Sequence, residues 1–492
     1  MAQAEAASAG ESSTGSTIQS MQELMAIQER LNPIQSPGFV DAFENYEFEK
    51  VYSSTLLHPM TTHYHFCVPP SPANQTDTLE TVFTIKLQLK KNDGTAFGAA
   101  AAAAAAENFY MREGLFHNLW KDIKLQIGNH DLKLITGEEY ARTTYIQMLM
   151  KAKKEDLKWL KLSTGWAPLP LNLEPNHQVA IVDGNGANEI RHAAETPYAT
   201  HYTNAYLEDR EITLTGRLFI PLFETQRFLP PGVSINITLV RNDAKAILQR
   251  RDNNNLPQIH IKDMYFNVKR VLLSAPSQQL QNSLVLKNGG MNFPVSWGDL
   301  IKHRMVAGSS VYTFHQAIHD ELPRRILLCF ARTESTESGD CRYHPYYFEL
   351  LKGLRSIKVE YNNKVYPPRD GFNFQWSQVD DANPSWDKMK RDNLHLYQSN
   401  MSVYHKMDTL GQVALDIDTW LKRHFVVAID MSMGGSSRNM EKSSTALRAG
   451  SVGITVELGR GLPENMTMLM LIERHAMVSV QVPTMAVSVD PL

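Results

Sequence analysis

The sequence predicts an all-β protein built from two β-sandwiches in tandem. Three observations predict this fold class. Apolar and polar residues alternate in many segments, the period of a strand with one buried face. Hydrophobic residues make up 43% of the 492 positions, enough for a sizeable core. The alternating segments fall into two groups, over about 45–242 and 257–482, on either side of a polar stretch that ends at Pro257.

Strands of the first group show the alternation clearly. One predicted strand has apolar side chains at every second position, at Phe83, Ile85, Leu87 and Leu89. Another, from Ile235 to Leu239, follows the turn residues Pro230 to Gly232. Both segments are therefore predicted to be half-buried strands.

The second group contains a strand whose alternation changes phase. Ile259 and Ile261 have odd numbers, whereas Met264 and Phe266 have even ones. A strand keeps one buried face through such a change only if it contains an extra residue, which predicts a β-bulge near Asp263.

Two further segments of the second group have distinct patterns. The segment from Ile357 to Tyr361 alternates and ends at Asn362-Asn363, which predicts a hairpin. The segment from Met466 to Ile472 is continuously apolar except for Thr467, so we expect a strand covered on both faces.

Few helices are predicted in this body. Residues 139–161 combine spaced apolar side chains with many lysines and predict a surface helix. Pro345 to Leu354 is a candidate short helix with proline at its start. Residues 385–397 are a third candidate.

The N-terminal segment differs in composition from the body. It is rich in Ala, Ser, Gly, Glu and Thr, and residues 1–40 contain one basic and four acidic side chains. We expect a flexible arm over residues 1–44 that includes one short amphipathic helix. Its apolar positions are Ile18, Met21, Leu24, Met25 and Leu31. The helix either packs on its own body or docks on a neighbouring molecule.

The remaining boundaries follow from the two strand groups. The first β unit is predicted at residues 45–248 and the second at 257–483, joined by a linker at 249–256 and followed by a tail at 484–492. The run Ala99 to Ala106 is too short for an independent helix and is assigned to a loop.

The charge distribution limits the classes of function. The whole chain has 49 basic and 52 acidic side chains, and the excess of three acids lies within residues 1–40. A neutral body is unsuited to coating nucleic acid through bulk charge and suits dense self-association. We find no signal peptide and no membrane-spanning run, so we expect a soluble protein made inside the cell.

One segment has the residue types of a metal site. His63, His65 and Cys67 have strand spacing, so their side chains would share one face. A tetrahedral site needs a fourth ligand, and no Cys or His stands nearby in the sequence. We therefore treat these three residues as weak candidates and expect no resident metal.

No other motif indicates catalysis or nucleotide binding. The sequence lacks a phosphate-binding loop, a nucleophile elbow and a zinc-protease motif, so we expect no enzyme and no cofactor. Lysines around Trp159 form one basic patch, between Lys151 and Lys161. Such a patch is more often a solvated helix face, and we expect no sequence-specific binding of nucleic acid.

Several longer stretches resemble one family. Those in the middle of the chain are Leu214–Phe223, Phe228–Asp243 and Ile259–Val271, and those near the end are Gly453–Leu458 and Leu462–Ile472. Together they resemble the double jelly-roll major capsid proteins of Polinton (Maverick) elements and adintoviruses. The chain departs from the family pattern at Glu473 to Met477, where family members often continue with an acidic, aromatic run.

The resemblance implies a fold and a function. The fold would be two eight-stranded jelly rolls side by side, with a few short helices in loops. The chain would form a pseudo-hexagonal homotrimer that tiles an icosahedral virion shell around double-stranded DNA. Its partners would be further copies of itself and a minor or penton capsid protein.

Two other classes of function remain open from the sequence. One is a cellular ligand- or carbohydrate-binding β-sandwich protein, which would contain an aromatic-lined pocket. The other is a bicupin-type metalloenzyme, which would need a histidine-rich metal set in each half.

Overall fold

The computed structural model describes sixteen segments of the chain. They are residues 43–91, 94–95, 109–128, 130–132, 135–136, 139–166, 211–225, 227–250, 258–318, 323–337, 346–361, 364–366, 371–376, 386–431, 450–481 and 486–491.

The described residues before Ala275 form eleven strands and four α-helices. The strands are β1 (Phe43–Tyr52), β2 (His63–Val68), β3 (Gln75–Lys90), β4 (Phe109–Met111), β5 (Trp120–Ile127), β6 (His130–Leu132), β7 (Ile135–Thr136), β8 (Ile212–Gly216), β9 (Ile235–Arg241), β10 (Leu248–Arg250) and β11 (Gln258–Leu273). The helices are α1 (Leu115–Asn118), α2 (Tyr140–Lys151), α3 (Leu157–Ser163) and α4 (Ala244–Ile247), with a 3₁₀ turn at Pro221–Glu224.

The described residues from Ala275 onward contain ten strands and five α-helices. The strands are β12 (Gly290–Met305), β13 (Val311–Ile318), β14 (Arg325–Arg332), β15 (Leu354–Tyr361), β16 (Lys364–Tyr366), β17 (Phe372–Asn373), β18 (Val426–Asp430), β19 (Val452–Leu458), β20 (Met466–Gln481) and β21 (Val487–Pro491). The helices are α5 (Ala275–Asn288), α6 (Thr333–Glu337), α7 (Trp386–Asp392), α8 (Leu394–Ser402) and α9 (Ile417–Lys422), with a 3₁₀ turn at Met407–Gln412.

The two halves of the chain repeat one strand order. In the first half, one sheet has the order β1-β11-β3-β8 and the other β2-β9-β5-β6. In the second half, the corresponding orders are β12-β20-β14-β18, extended by β7, and β13-β19-β15-β16. If the eight main strands of each half are numbered 1 to 8 along the chain, the two sheets of each half have the orders 1-8-3-6 and 2-7-4-5. This order is that of a jelly roll, so the chain is a double jelly roll as predicted.

The boundary between the rolls lies later in the chain than the sequence analysis placed it. β11 follows the predicted linker 249–256, yet it is the eighth strand of the first roll and pairs with β1 and β3. Helix α5 joins the two rolls. We therefore define roll 1 as residues 43–273 and roll 2 as residues 290–481. Apolar and polar residues alternate in the last strand of a roll just as they do in the first strand. The sequence pattern alone therefore could not assign β11 to roll 1.

The chain ends also differ from the predicted division. The first roll was expected to begin at residue 45, and β1 begins at Phe43. The predicted C-terminal tail 484–492 contains β21, which pairs with β20 over Ala476 to Val480.

Local predictions for the strands are confirmed. The register of β11 against β3 shifts between Ile261 and Asp263, where the bulge was expected. Every residue from Met466 to Ile472 is buried. β15 and β16 pair antiparallel, with Tyr361 opposite Lys364, as the predicted hairpin requires; the predicted turn residues lie outside the described residues.

The helix predictions are only partly confirmed. Residues 386–402 form α7 and α8, as the third candidate proposed. The predicted surface helix 139–161 is instead two helices, and α2 is mostly buried because both rolls cover it. The described residues of the Pro345–Leu354 candidate are not helical, and Phe348 forms an isolated bridge with His424.

Candidate assembly surface

The two rolls are joined by the longest strand pair of roll 2. β12 and β20 pair along their full 16 residues, from Gly290 opposite Gln481 to Met305 opposite Met466. One end of this pair packs in the core of roll 2, through the buried set Met466 to Ile472. The other end packs in the core of roll 1. Its buried side chains there are Phe293, Val295, Ala476, Val478 and Val480. Shared strands therefore fix the rolls relative to each other.

A buried ion pair lies where β20 passes from one core to the other. Glu473 is 1% exposed and Arg325 is 9% exposed. The Arg325 Nη1 atom donates to Glu473 Oε2 at 2.8 Å, and Gln147 Nε2 of α2 donates to Glu473 Oε1 at 3.1 Å. Burial acts to raise the pKa of Glu473, but the charges of Arg325 and Lys151 outweigh it and hold that pKa below its ordinary value. Glu473 is therefore ionised in the folded chain near neutral pH.

This ion pair explains why the apolar run of β20 ends at Ile472. An apolar run could not continue there, because Glu473 meets Arg325, and the neighbouring Arg474 forms an ion pair with Asp299 of β12. The polar residues mark the crossing point between the two cores.

Helix α2 is a second connection between the rolls. Its first residue, Tyr140, belongs to the core of roll 1. Tyr145 and Leu149 belong to the core of roll 2, and the Tyr145 ring stacks on Tyr346 at 4.3 Å between centroids. A helix that connects β6 to β8 of roll 1 thus buries most of its length against roll 2.

Roll 1 also covers the free edge of the first strand of roll 2. β7 pairs in parallel with β12, at Gly298 and Asp299. Lys302 of β12 forms an ion pair with Glu139, the residue that precedes α2. The outer edge of β12 is therefore partly covered within a single copy of the chain, over two of its 16 residues.

The first strand of roll 1 is open by comparison. β1 stands at the end of its sheet, and among the described residues only β11 pairs with it. Its aromatic side chains are exposed, at 63% for Tyr46, 56% for Phe48 and 55% for Tyr52. Lys269 lies 5.5 Å from the Tyr46 ring centroid and Tyr265 lies 5.5 Å from Tyr52, so the aromatic stripe continues onto β11. Exposed edges and aromatic side chains of this kind are typical of protein interfaces.

Helix α5 forms another exposed apolar feature beside this strand. Its Leu280 and Leu286 side chains are exposed. Its start is near the start of β1, because Phe43 is opposite Leu273 in the sheet. Neither feature was predicted from the sequence. The sequence does contain an indication of the exposed aromatic face of β1. Tyr46, Phe48 and Tyr52 are separated by even numbers of residues, and a strand places such residues on one face.

The three candidate metal ligands lie on one face of a strand, but no described His, Cys, Asp or Glu side chain completes a metal site with them. His63, His65 and Cys67 all lie on the exposed face of β2, as their spacing predicted. The Nδ1 atom of His65 is 2.9 Å from Thr238 Oγ1, and that of His63 is 2.9 Å from Thr62 Oγ1. Across the described segments, no three His, Cys, Asp or Glu side chains are grouped so that they could hold a metal ion. The bicupin alternative gains no support from these residues.

A small cavity lies at the junction of the rolls. Its volume is about 10 Å³, room for about one water molecule, and Thr143, Gln147, Glu224 and Ser296 are among its lining residues. Among the described residues that line it, Phe219 is the one aromatic side chain. This lining does not resemble the aromatic pocket that the ligand-binding alternative requires.

The basic patch predicted around Trp159 is exposed. Lys158, Trp159 and Lys161 lie on the outer side of α3, whereas Lys151 forms an ion pair with Glu224 at 3.2 Å. The predicted arm residues Ile18, Met21, Leu24, Met25 and Leu31 lie outside the described residues, as does Ala99 to Ala106. Among the helices described here, none is long and apolar enough to cross a bilayer.

Comparisons with known proteins find similarity in structure alone. No family model matches the chain, and no curated protein matches it. The fold is similar to a chain of the Sputnik virophage solved by cryo-EM, with a TM-score of 0.57 and 12% identity over 94% of this chain and 91% of that one.

Two further solved structures are similar over most of their length. The Faustovirus major capsid protein gives a TM-score of 0.52 at 10% identity, with 88% of this chain and 90% of that one covered. The mavirus major capsid protein gives 0.51 at 10% identity, with 90% of each chain covered. At these identities the similarity shows a shared fold, the double jelly roll.

Proposed function

We propose that this chain is a viral major capsid protein. Its copies form homotrimers of pseudo-hexagonal outline, and the trimers tile an icosahedral shell around a double-stranded DNA genome. The particular type we propose is that of Polinton (Maverick) elements and adintoviruses, which the motifs between Leu214 and Val271 and between Gly453 and Ile472 resemble.

One observation carries the proposal. Each chain contains two rolls of identical strand order, held as one unit by shared strands and by α2. Three such chains around an axis place six similar units in a ring, the geometry needed to fill a hexagonal lattice. A closed ring uses the same contact three times, so no copy is left with an unsatisfied surface.

The charge and the surface are consistent with this role. The body beyond residue 40 has no net charge, so copies repel one another weakly. Exposed aromatic and apolar side chains lie on β1 and α5, where a partner chain can bury them. The role is structural and needs no cofactor, and the protein acts in the virion after synthesis in the host cell.

The predicted arm extends this proposal to contacts between trimers. Residues 1–44 are acidic and carry the amphipathic set Ile18, Met21, Leu24, Met25 and Leu31. We propose that the arm binds a neighbouring trimer or a minor capsid protein, because its charge disfavours contact with the genome.

Light scattering after size-exclusion chromatography tests the oligomeric state. The proposal expects a particle of three times the 55.6 kDa chain mass, with a pseudo-hexagonal outline in negative-stain images. A monomer or dimer at micromolar concentration, with no trimer or shell in the images, would refute it.

A further inference from the structure

Helix α5, which joins the two rolls, faces roll 1 with a mainly polar side. Its half-buried positions Ser277, Gln281 and Val285 recur every four residues and therefore lie on one side of the helix. The Nε2 atom of Gln75, at the start of β3, donates to Gln281 Oε1, and Gln281 Nε2 donates to the Met291 Sδ atom of β12 at 3.7 Å. These contacts fix the orientation of α5 on the roll.

The outer side of α5 presents leucines to solvent. Leu280 and Leu286 are 62% and 79% exposed, and the exposed Ser283 lies midway between them in the sequence. None of the α5 side chains whose burial is described is buried. A surface helix normally turns its apolar side to the core and its polar side to solvent. The reversed arrangement in α5 indicates that another apolar element covers its outer side.

The N-terminal arm joins the body beside this helix. β1 begins at Phe43, which is opposite Leu273 in the sheet, and α5 begins two residues later at Ala275. The Phe43 side chain is 45% exposed, and its ring meets Phe228 edge-on at 5.6 Å between centroids. The segment that precedes β1 is therefore attached next to the first turn of α5.

The arm is long enough to reach the whole of α5. Residues 32–42 separate the predicted arm helix from β1, and a chain of that length spans up to about 40 Å when extended. α5 has 14 residues and is about 21 Å long. Because the arm is tethered to the same copy, its effective concentration at this α5 exceeds that of arms from other copies.

The chemistry of the arm matches that of the exposed side of α5. Five apolar side chains share one side of the predicted arm helix, namely Ile18, Met21, Leu24, Met25 and Leu31. Two of them are methionines, which adapt to irregular apolar neighbours. The arm is acidic, whereas α5 contains one basic side chain, Lys287, and no acidic one. The two segments therefore do not repel each other.

We propose that residues 18–31 form a helix that packs on the outer side of α5 in the same copy of the chain. Leu280 and Leu286 pack against the apolar side of that helix, and the small Ser283 side chain permits close approach. The inference concerns the protein before shell assembly and does not depend on its oligomeric state. The contact of the arm with a neighbouring trimer or minor capsid protein, proposed above, then requires release from α5.

Photo-crosslinking in the full-length chain tests the contact. Leu280 is replaced by p-benzoylphenylalanine in one variant and Leu286 in another, because both side chains are exposed. Chains labelled with heavy and light nitrogen isotopes are mixed before oligomers form, so that mass distinguishes crosslinks within one copy from those between copies. A variant with the same replacement at Leu394, an exposed residue of α8 in roll 2, is the control.

The expected result is a crosslink from position 280 or 286 to peptides within residues 18–31 of the same copy, with none to this segment from position 394. Crosslinks only to the arm of another copy, crosslinks only to α5 of another copy, or no crosslink to the arm at all would each overturn the inference. These outcomes leave the proposed function intact, because light scattering measures the trimer separately.

Hydrogen exchange measured by mass spectrometry gives an independent readout. Leu24→Asp/Met25→Asp places two charges on the apolar side of the arm helix. It is expected to speed amide exchange in residues 275–288 by about tenfold or more, because α5 loses its cover. Gln19→Asp/Ala26→Asp adds the same charge on the opposite side of the predicted helix and is expected to change this rate by less than about twofold. Equal exchange of α5 in the two variants contradicts the contact.

Discussion

β1 and β12 have the same rank in rolls of the same strand order, yet among the described residues only β12 has a strand partner on both edges, at Gly298 and Asp299. β7 pairs with two residues of β12 and Glu139 forms an ion pair with Lys302, whereas β1 exposes Tyr46, Phe48 and Tyr52. Closure is therefore no requirement of the jelly roll itself. In roll 2, the segment that contacts the outer edge of the first strand belongs to the neighbouring roll, because β7 is part of roll 1. The proposed trimer supplies a neighbouring roll for β1 as well, from another copy of the chain.

The polar junction of the rolls is expected to show the largest effect on stability. Glu473→Gln leaves the buried Arg325 without its ionised partner, and breaking a buried ion pair costs about 3–5 kcal/mol. Urea unfolding measures the change. The double variant Glu473→Gln/Arg325→Met removes both charges and is expected to recover much of the loss. A single variant as stable as the parent would show that this buried ion pair contributes little to the stability of the fold.

The same carboxylate predicts a pH dependence. The folded chain holds the pKa of Glu473 below its ordinary value of about 4.3. A carboxylate with a lowered folded pKa contributes stability that is present above the unfolded pKa and is lost as pH falls through the folded one. Acid should therefore destabilise the parent more than the double variant below about pH 4. Parallel acid-unfolding curves would contradict this assignment.

Helix α2 is expected to show the next largest effect. Leu149→Ala removes a fully buried side chain from the core of roll 2 and should cost about 2–5 kcal/mol. Leu162→Ala on the exposed side of α3 is the matched control, with an expected change within about 0.5 kcal/mol. Thermal unfolding measures both. Equal effects would show that α2 does not pack in the core of roll 2.

The open edge is expected to show the smallest effect on the fold. Phe48→Ser should change the free energy of unfolding of a dissociated chain by about 0.5 kcal/mol or less, because the side chain is exposed. It should still weaken trimers by about tenfold in sedimentation equilibrium, since interface aromatics carry much of the binding energy. Trp159→Ser is the control and should change neither quantity. An unchanged trimer in Phe48→Ser would remove β1 from the interface.

Much of the fold could be predicted from the sequence, because alternation reports directly on a half-buried strand. It located the bulge at Asp263 and the doubly covered strand from Met466 to Ile472. Strand rank is a property of the tertiary fold, so the sequence could not show that β11 closes roll 1. The burial of α2 was missed for the same reason, because the surface that covers it belongs to roll 2.

Less of the candidate surface could be predicted. His63, His65 and Cys67 were correctly placed on one face of a strand, but a shared face does not supply further ligands. The aromatic residues of β1 could not be distinguished from core residues by pattern alone. Their exposure depends on which neighbouring segment reaches the edge, and in roll 1 none of the described segments does.

A cryo-EM map of the purified particle tests the central claim most directly. The account predicts six jelly rolls around a threefold axis, with the exposed aromatic side chains of β1 in each copy buried against a neighbouring copy. A trimer with β1 in solvent would contradict the proposed interface, and a particle without threefold symmetry would contradict the account as a whole.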